Sequence, residues 1–258
     1  MSRRFLIRGS SSALIALCVA VFVSDAEAIQ FGRRFHHWGR FRPGSWVVVR
    51  QGCETLGAGG QVVSNTTSET KTTLAGVDDK AMTLHVQASL EVGGKLLDAA
   101  PQQLREGLLG EKPEAATYVD LGEESVAVQG QNYRCQIQQT ETNVGGRRQV
   151  TKTWFAPQVA PYVLRRLTTI VDASTGAVVS ETEMQVTKLS VERRILARLR
   201  PVAEVAITQR HPRGQTRTQA FTCPDIPGGI VSQTSEEYDV AGNLLRRSKA
   251  ELVDFETK

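Results

Sequence analysis

Histidine and cysteine are scarce in this chain of 258 residues, and each scarcity closes a class of function. There are four histidines, two of them adjacent as His36-His37, so a Ser-His-Asp triad would have to recruit His85 or His211. His85 falls on the polar phase of an alternating strand and His211 opens a turn, and both read as surface residues. Of the four cysteines, Cys18 lies in the apolar run near the N-terminus, and Cys53, Cys135 and Cys223 contain no CxxC pair, so neither a thioredoxin-like redox site nor a zinc knuckle is supported. No GxSxG elbow, HExxH helix, phosphate loop or dinucleotide fingerprint occurs. Paired carboxylates exist at Asp78-Asp79 and Glu123-Glu124, but neighbours on a turn are ordinarily solvated, and a glycosidase pair is defined by a separation in space. The chain therefore reads as non-enzymatic, with no catalytic residue, cofactor or metal site expected.

A charge excess is also missing. The formal net charge is +4, and Arg33, Arg34, Arg40 and Arg42 alone account for that much, which leaves the rest of the chain close to neutral. Such a body has no field to steer nucleic acid, and no nucleic-acid partner is expected. No linker, low-complexity tract or long block of one charge divides the chain, so a single domain over residues 45–258 is the economical reading.

Only one stretch is strongly apolar, residues 13–23, and its eleven residues fall short of the about 20 that a bilayer-spanning helix needs. Arg3, Arg4 and Arg8 precede it and Ala26-Glu27-Ala28 follows, which makes residues 1–28 a signal peptide cleaved near Ala28. Ser2-Arg3-Arg4-Phe5-Leu6-Ile7-Arg8 also resembles the twin-arginine export motif, and the general secretory and twin-arginine routes both stay open. A periplasmic or secreted location follows from either. In such a compartment three remaining cysteines allow one disulfide; a Cys135–Cys223 bridge and buried thiols are both open.

Residues 29–44 form a basic aromatic arm, IQFGRRFHHWGRFRPG. Phe31, Phe35, Trp38 and Phe41 would line one face of a helix, with arginines on the others. Gly32 and Gly39 weaken that helix by about 1 kcal/mol each relative to alanine. Two readings stay open: an arm disordered until it meets an anionic membrane surface through Arg33, Arg34, Phe35, Trp38, Arg40, Phe41 and Arg42, or an arm docked on its own domain. His36-His37 reads as a poor metal site, because adjacent side chains diverge on helix and strand alike.

What fills the remainder is β structure. Met82, Leu84 and Val86 alternate with Thr83, His85 and Gln87, and Tyr133, Cys135 and Ile137 share one face against Arg134, Gln136 and Gln138. Residues 61–74 are rich in threonine and serine and read as a strand with one wet side. A stretch at 155–189 recurs 66 positions later at 221–255, aligning Phe155 with Phe221, Pro161 with Pro227 and Gly176 with Gly242. A looser copy lies at 43–74. Two segments read as helical covers: residues 95–110, where Pro101 suits a helix start but a strand or lid stays open, and residues 190–200, where Val191, Ile195 and Leu199 sit at helical spacing. The fold class is thus mainly β: a large curved antiparallel sheet, half-barrel or barrel-like, built of repeated hairpins with one or two short helices.

Tyr133-Arg134-Cys135 opening one strand, Trp154-Phe155-Ala156-Pro157 closing the next, and Leu252-Val253-Asp254-Phe255 near the end resemble uncharacterised exported proteins of planctomycete-type bacteria. In hairpin order the chain is also similar to the LolA-like periplasmic carriers. That resemblance implies a curved sheet whose concavity holds the acyl chains of a lipoprotein. The expectation is an exported envelope protein that binds a lipid, lipoprotein or other amphipathic ligand. The alternative is a structural or protein-interaction module held at the envelope by its cationic arm. Oligomeric state stays open.

Overall fold

Alternating apolar and hydroxyl-bearing residues, broken by glycine-containing turns, give this chain strands wherever it is long enough to pair. The computed structural model describes residues 33–78, 81–107 and 116–258. The leader at 1–28 and the arm's first four residues therefore lie outside the described residues. Fourteen strands make one open antiparallel sheet: β1 (Trp46–Leu56), β2 (Val62–Val77), β3 (Ala81–Val92), β4 (Lys95–Asp98), β5 (Gln102–Gly107), β6 (Ala116–Val128), β7 (Gln131–Val144), β8 (Arg147–Phe155), β9 (Val163–Asp172), β10 (Val178–Ile195), β11 (Arg198–His211), β12 (Gly214–Thr222), β13 (Ile230–Asp239) and β14 (Leu244–Glu256).

The strand order is β4-β3-β2-β1-β14-β13-β12-β11-β10-β9-β8-β7-β6, with β5 beside β3. Strands β1–β4 and β6–β14 are each simple meanders, and the two meet where β1 pairs with β14. β4 and β5 together form one edge, paired to successive halves of β3 and interrupted around Pro101. Proline cannot donate to a ladder, and an edge break is where a sheet tolerates it. The segment from Lys95 to Gly107 is thus strand; the part of the expected cover beyond Gly107 lies outside the described residues up to Ala116.

Residues 190–200 are not a helix. They form the end of β10 and the start of β11, paired as Val191 with Val202 and Arg193 with Arg200. Val191 and Ile195 are four apart, a spacing that also places them on one strand face. Leu199 belongs to the returning strand and is 63% exposed. The β9 pairing ends at Gln185 and the β12 pairing begins at Ala203, so between these limits β10 and β11 pair only with each other. Two register shifts, at Val186/Lys188 and Lys188/Val191, bend this two-stranded ribbon. Its Ile195 and Val202 are buried with Trp38 and Phe41 of the arm. A covering element is present, made of bent strand rather than helix. Among the described residues the only helical turn is a 3-10 turn at Arg33–Phe35.

The loops after Phe155 and Thr222 close with the same backbone bonds. Ala156 N donates to Tyr162 O at 2.7 Å and Cys223 N to Gly229 O at 2.8 Å; Val159 N donates to Ala156 O and Ile226 N to Cys223 O. This correspondence is offset by 67, one more than the shift that aligns Gly176 (φ 71°) with Gly242 (φ 84°) in the following turns. Those two glycines accept a positive φ that other residues adopt only at a cost.

Register fixes which side chains share a face. On the inner face one row runs Gln51, Ala250, Gln233, Ala220, Val205, Val186, and the next runs Cys53, Ser248, Ser235, Thr218, Ile207, Met184, Arg166, Thr153, Gln138. A third row continues Gln209, Thr182, Thr168, Thr151, Thr140. The inner face is therefore apolar near the arm and lined with hydroxyls and amides farther along. Charged pairs cross the outer face instead, among them Arg50–Glu69 at 2.8 Å, Arg165–Glu183 at 2.7 Å and Arg148–Glu141 at 2.6 Å. Gln138, expected on the polar side of β7, is 1% exposed, because β7 buries Cys135 and Ile137 from one phase and Gln138 and Thr140 from the other.

Candidate functional site

The arm is what turns the inner face into a site. Trp38 and Phe41 are buried in one core cluster with Val47, Leu74, Met82, Leu84 and Phe221. Phe35 meets Phe155 and Tyr162 edge-on, with ring centroids 5.3 and 5.1 Å apart. Gly228 N donates to His37 O at 3.1 Å, and Gly228 (φ +76°) lies so close to the Trp38 ring that a Cβ there would meet it at 3.2 Å. Of the two readings left open for the arm, docking on its own domain is the arrangement found in residues 33–44. Its aromatics do not share one helical face: Trp38 and Phe41 are buried, Phe35 is half-buried, and Arg33, Arg34, Arg40 and Arg42 are exposed. Phe31 lies outside the described residues.

His36 and His37 do not diverge. Their ring centroids are 4.1 Å apart, because the turn that follows Phe35 curls them together. Potential ligand atoms of His36, His37 and Glu106 lie within 4.8 Å of one another. Glu106 comes from β5 and shares its face with Met82 and Leu84, while Arg166 of β9 approaches the histidines closely enough to disfavour their protonation. β5 and β9 are nine inter-strand steps apart, about 43 Å along the sheet at roughly 4.8 Å per step. Only a strongly curled sheet brings them to the same two imidazoles, and the arm is the strut between them.

The chemistry of this cluster is that of a neutral hydrogen-bonded strut. His36 Nδ1 accepts from Trp38 N at 3.1 Å and Gly39 N at 3.3 Å. With Nδ1 accepting, the ring proton sits on Nε2, which then donates rather than ligates. A metal centre would require His36 to exchange tautomer and give up both backbone bonds, with the Arg166 cation beside it. Burial, then His37 and Arg166, push His36 well below the usual histidine value. Burial and then Arg166 bring His37 down to about 4. Both rings keep part of their surface, and His37 lines a cavity.

The cavity has a volume of about 100 Å³. Trp38, Val47, Val49, Leu84 and Ile230 give it apolar lining and Gln51, Ser68, Thr70, Thr72 and Gln233 hydrogen-bonding groups, the two kinds interleaved where Val47 pairs with Thr72 and Val49 with Thr70. The threonine-rich strand β2 therefore turns its hydroxyl face to this cavity. Farther along the inner face, Thr140 and Thr153 hold buried hydroxyls that make no hydrogen bond, beside a Thr151–Thr168 pair at 3.1 Å.

The remaining candidates are placed apart from the cavity. His85 is exposed, and His211 closes its own turn by accepting from Arg213 N at 3.2 Å. Glu123 pairs with Arg134, and Glu124 accepts from the Trp154 indole at 2.8 Å, the main reason its carboxyl is held below the usual range. Among the described residues, Cys53, Cys135 and Cys223 are not in a disulfide. Burial pushes the Cys135 and Cys223 thiols up, which makes them poor nucleophiles. Sequence reasoning missed Glu106, Arg166 and the cavity hydroxyls, since no local signal joins residues so far apart in the chain.

No protein-family model and no curated protein matches the chain. Among solved structures it is similar to a candidate lipoprotein from Parabacteroides distasonis, at 13% identity over 86% of this chain and 98% of that one, TM-score 0.36. It is also similar to a candidate exported protein with YmcC-like fold from Bacteroides fragilis, at 10% identity over 84% and 97%, TM-score 0.34. A DUF1329 family protein from Desulfovibrio piger is 12% identical over 84% and 86%, TM-score 0.37. At these values the likeness is one of outline.

Proposed function

We propose that this chain is an exported, non-enzymatic envelope protein that receives a lipid or other amphipathic ligand on the inner face of its curled sheet. The observation that carries the reading is the mixed lining of the cavity, in which Trp38, Val49 and Leu84 are combined with Ser68, Thr70 and Gln233, Val49 and Thr70 being direct cross-strand partners. A fully apolar ligand would leave the hydroxyls and amides without partners, and a fully polar one would gain nothing from the apolar groups. An amphiphile satisfies both. The outer face, with its cross-strand ion pairs, lacks the apolar band by which a barrel faces lipid, so a bilayer-spanning role is the poorer fit.

Size limits what enters. At about 100 Å³ the cavity is well below the roughly 300–1,000 Å³ of a pocket that encloses a drug-sized ligand. It admits the end of a chain, with the rest of the molecule along the half-buried Ser248, Ser235 and Thr218 beyond it. Native mass spectrometry of protein extracted gently from the envelope tests the reading. A co-purifying mass of lipid size, lost on exposure to detergent, is the expected result. Ligand-free protein that takes up no added lipid would overturn it.

A further inference from the structure

We infer that the arm end of the sheet is a docking surface for an anionic bilayer, built jointly by the arm and the β10–β11 ribbon. The sequence presents these as two basic tracts about 150 residues apart, each readable as a solvated surface. The fold makes them neighbours. Ile195 and Val202 of the ribbon pack in the same core cluster as Trp38 and Phe41, and Arg40 and Arg200 both act electrostatically on the Cys223 thiol.

The ribbon has two unlike faces. By register Val191, Arg193, Ile195, Arg198, Arg200 and Val202 share the inward one, with Arg193 and Arg198 still exposed; Glu192, Arg194 and Leu199 occupy the other and are exposed. At the tip Leu196 is 50% exposed and Leu199 is 63% exposed. Neither leucine serves the core, and both stand among arginines. Apolar side chains that protrude from a cationic ground are the chemistry of an interfacial anchor.

Unpaired arginines are more frequent at this end than elsewhere among the described residues. On the outer face of the sheet many arginines are answered by carboxylates, as in Arg50–Glu69, Arg165–Glu183 and Arg210–Glu181, although the exposed Arg147, Arg213 and Arg217 are not. Among the described residues, Arg33, Arg34, Arg40, Arg42, Arg194 and Arg198 make no ion pair. All six are exposed. Asp225 at this end is engaged by Arg200 at 3.5 Å, which leaves Glu192 as the one carboxylate on the ribbon between Val186 and Val202. An end of the sheet with exposed, unpaired arginines and protruding leucines is complementary to anionic headgroups, and His37 and Trp38 of the same arm line the cavity.

The inference rests on the export reading but not on cavity occupancy, and its test separates the two. The exported protein is sedimented with phosphatidylcholine vesicles, with and without phosphatidylglycerol. Binding that requires phosphatidylglycerol and weakens with salt is expected. Each arginine near an anionic surface contributes roughly fivefold in partitioning, so R194Q/R198Q lowers it about thirtyfold. L196S/L199S lowers it as well, while the thermal transition stays in place because these side chains are exposed. If the tip variants alter folding, R33Q/R34Q on the arm reads the same surface. Equal binding to neutral vesicles, no binding, or binding indifferent to all three pairs overturns the inference. So does retention on heparin without vesicle binding, which would assign the surface to a soluble polyanion. A protein that carries an amphiphile yet ignores vesicles defeats this inference and leaves the cavity reading intact.

Discussion

Mild acid should loosen the arm, and the size of the effect can be worked from His37. Its folded value is about 4 against 6.5 for a free imidazole, so between these values the unfolded chain binds a proton that the folded chain refuses. Stability from this group is complete above 6.5 and is lost as pH falls toward 4. The loss is about 2 kcal/mol between about pH 7.5 and about pH 5, approaching 3 kcal/mol in more acid solution. His36 is depressed in the same direction and adds to it. The groups around the pair are Glu106 from β5, Arg166 from β9 and the arm's own Arg33. Carboxylates held low by hydrogen bonds, such as Glu124, Glu141 and Glu204, lose their contribution only in more acid solution. Urea unfolding followed by tryptophan emission across this window should show the midpoint falling with pH in the native chain, with a shallower slope in His37→Gln. A midpoint that does not move, or a variant with the native slope, would refute the argument that buried neutral imidazoles hold the arm.

Two hydroxyls in one buried row should respond oppositely to the same change. Thr140→Val removes a buried hydroxyl with no partner and should stabilise by about 1 kcal/mol, whereas Thr151→Val breaks the bond to Thr168 and should cost about 1 kcal/mol, read from denaturation midpoints. Gly228→Ala should destabilise by about 2 to 4 kcal/mol, since its positive φ disfavours a Cβ and the Trp38 ring stands in its place. In the folded protein Cys135 and Cys223 should react with a disulfide reagent far more slowly than after unfolding, and rapid native labelling would contradict their burial.

Strand content was legible because Met82, Leu84 and Val86 alternate with polar partners and the turns carry glycine. The sheet's curl was legible only in outline, from the number of strands. Residues 190–200 misled because Val191 and Ile195 satisfy both a helical and a strand period, and only pairing with Val202 and Arg198 decides between them. The histidine pair misled for a different reason: adjacent side chains diverge in regular structure, but His36 sits in an irregular turn whose backbone amides claim its Nδ1. The site itself was illegible, since Glu106 and Arg166 lie on strands that a local pattern cannot bring together. Burial of Trp38 and Phe41 was one of two readings for the arm, and composition does not say whether an aromatic finds its partner within the chain or outside it.

The account stands most directly on whether an amphiphile reaches Trp38. In a Trp46→Phe/Trp154→Phe background, Trp38 is the remaining tryptophan, and its emission can be followed while lysophosphatidylcholine is added below its micelle concentration. A saturable change that Thr70→Val or Gln233→Leu weakens is predicted, because those groups supply hydrogen-bonding partners in the cavity lining. Emission unchanged until micelles form would contradict the claim that the inner face receives a ligand.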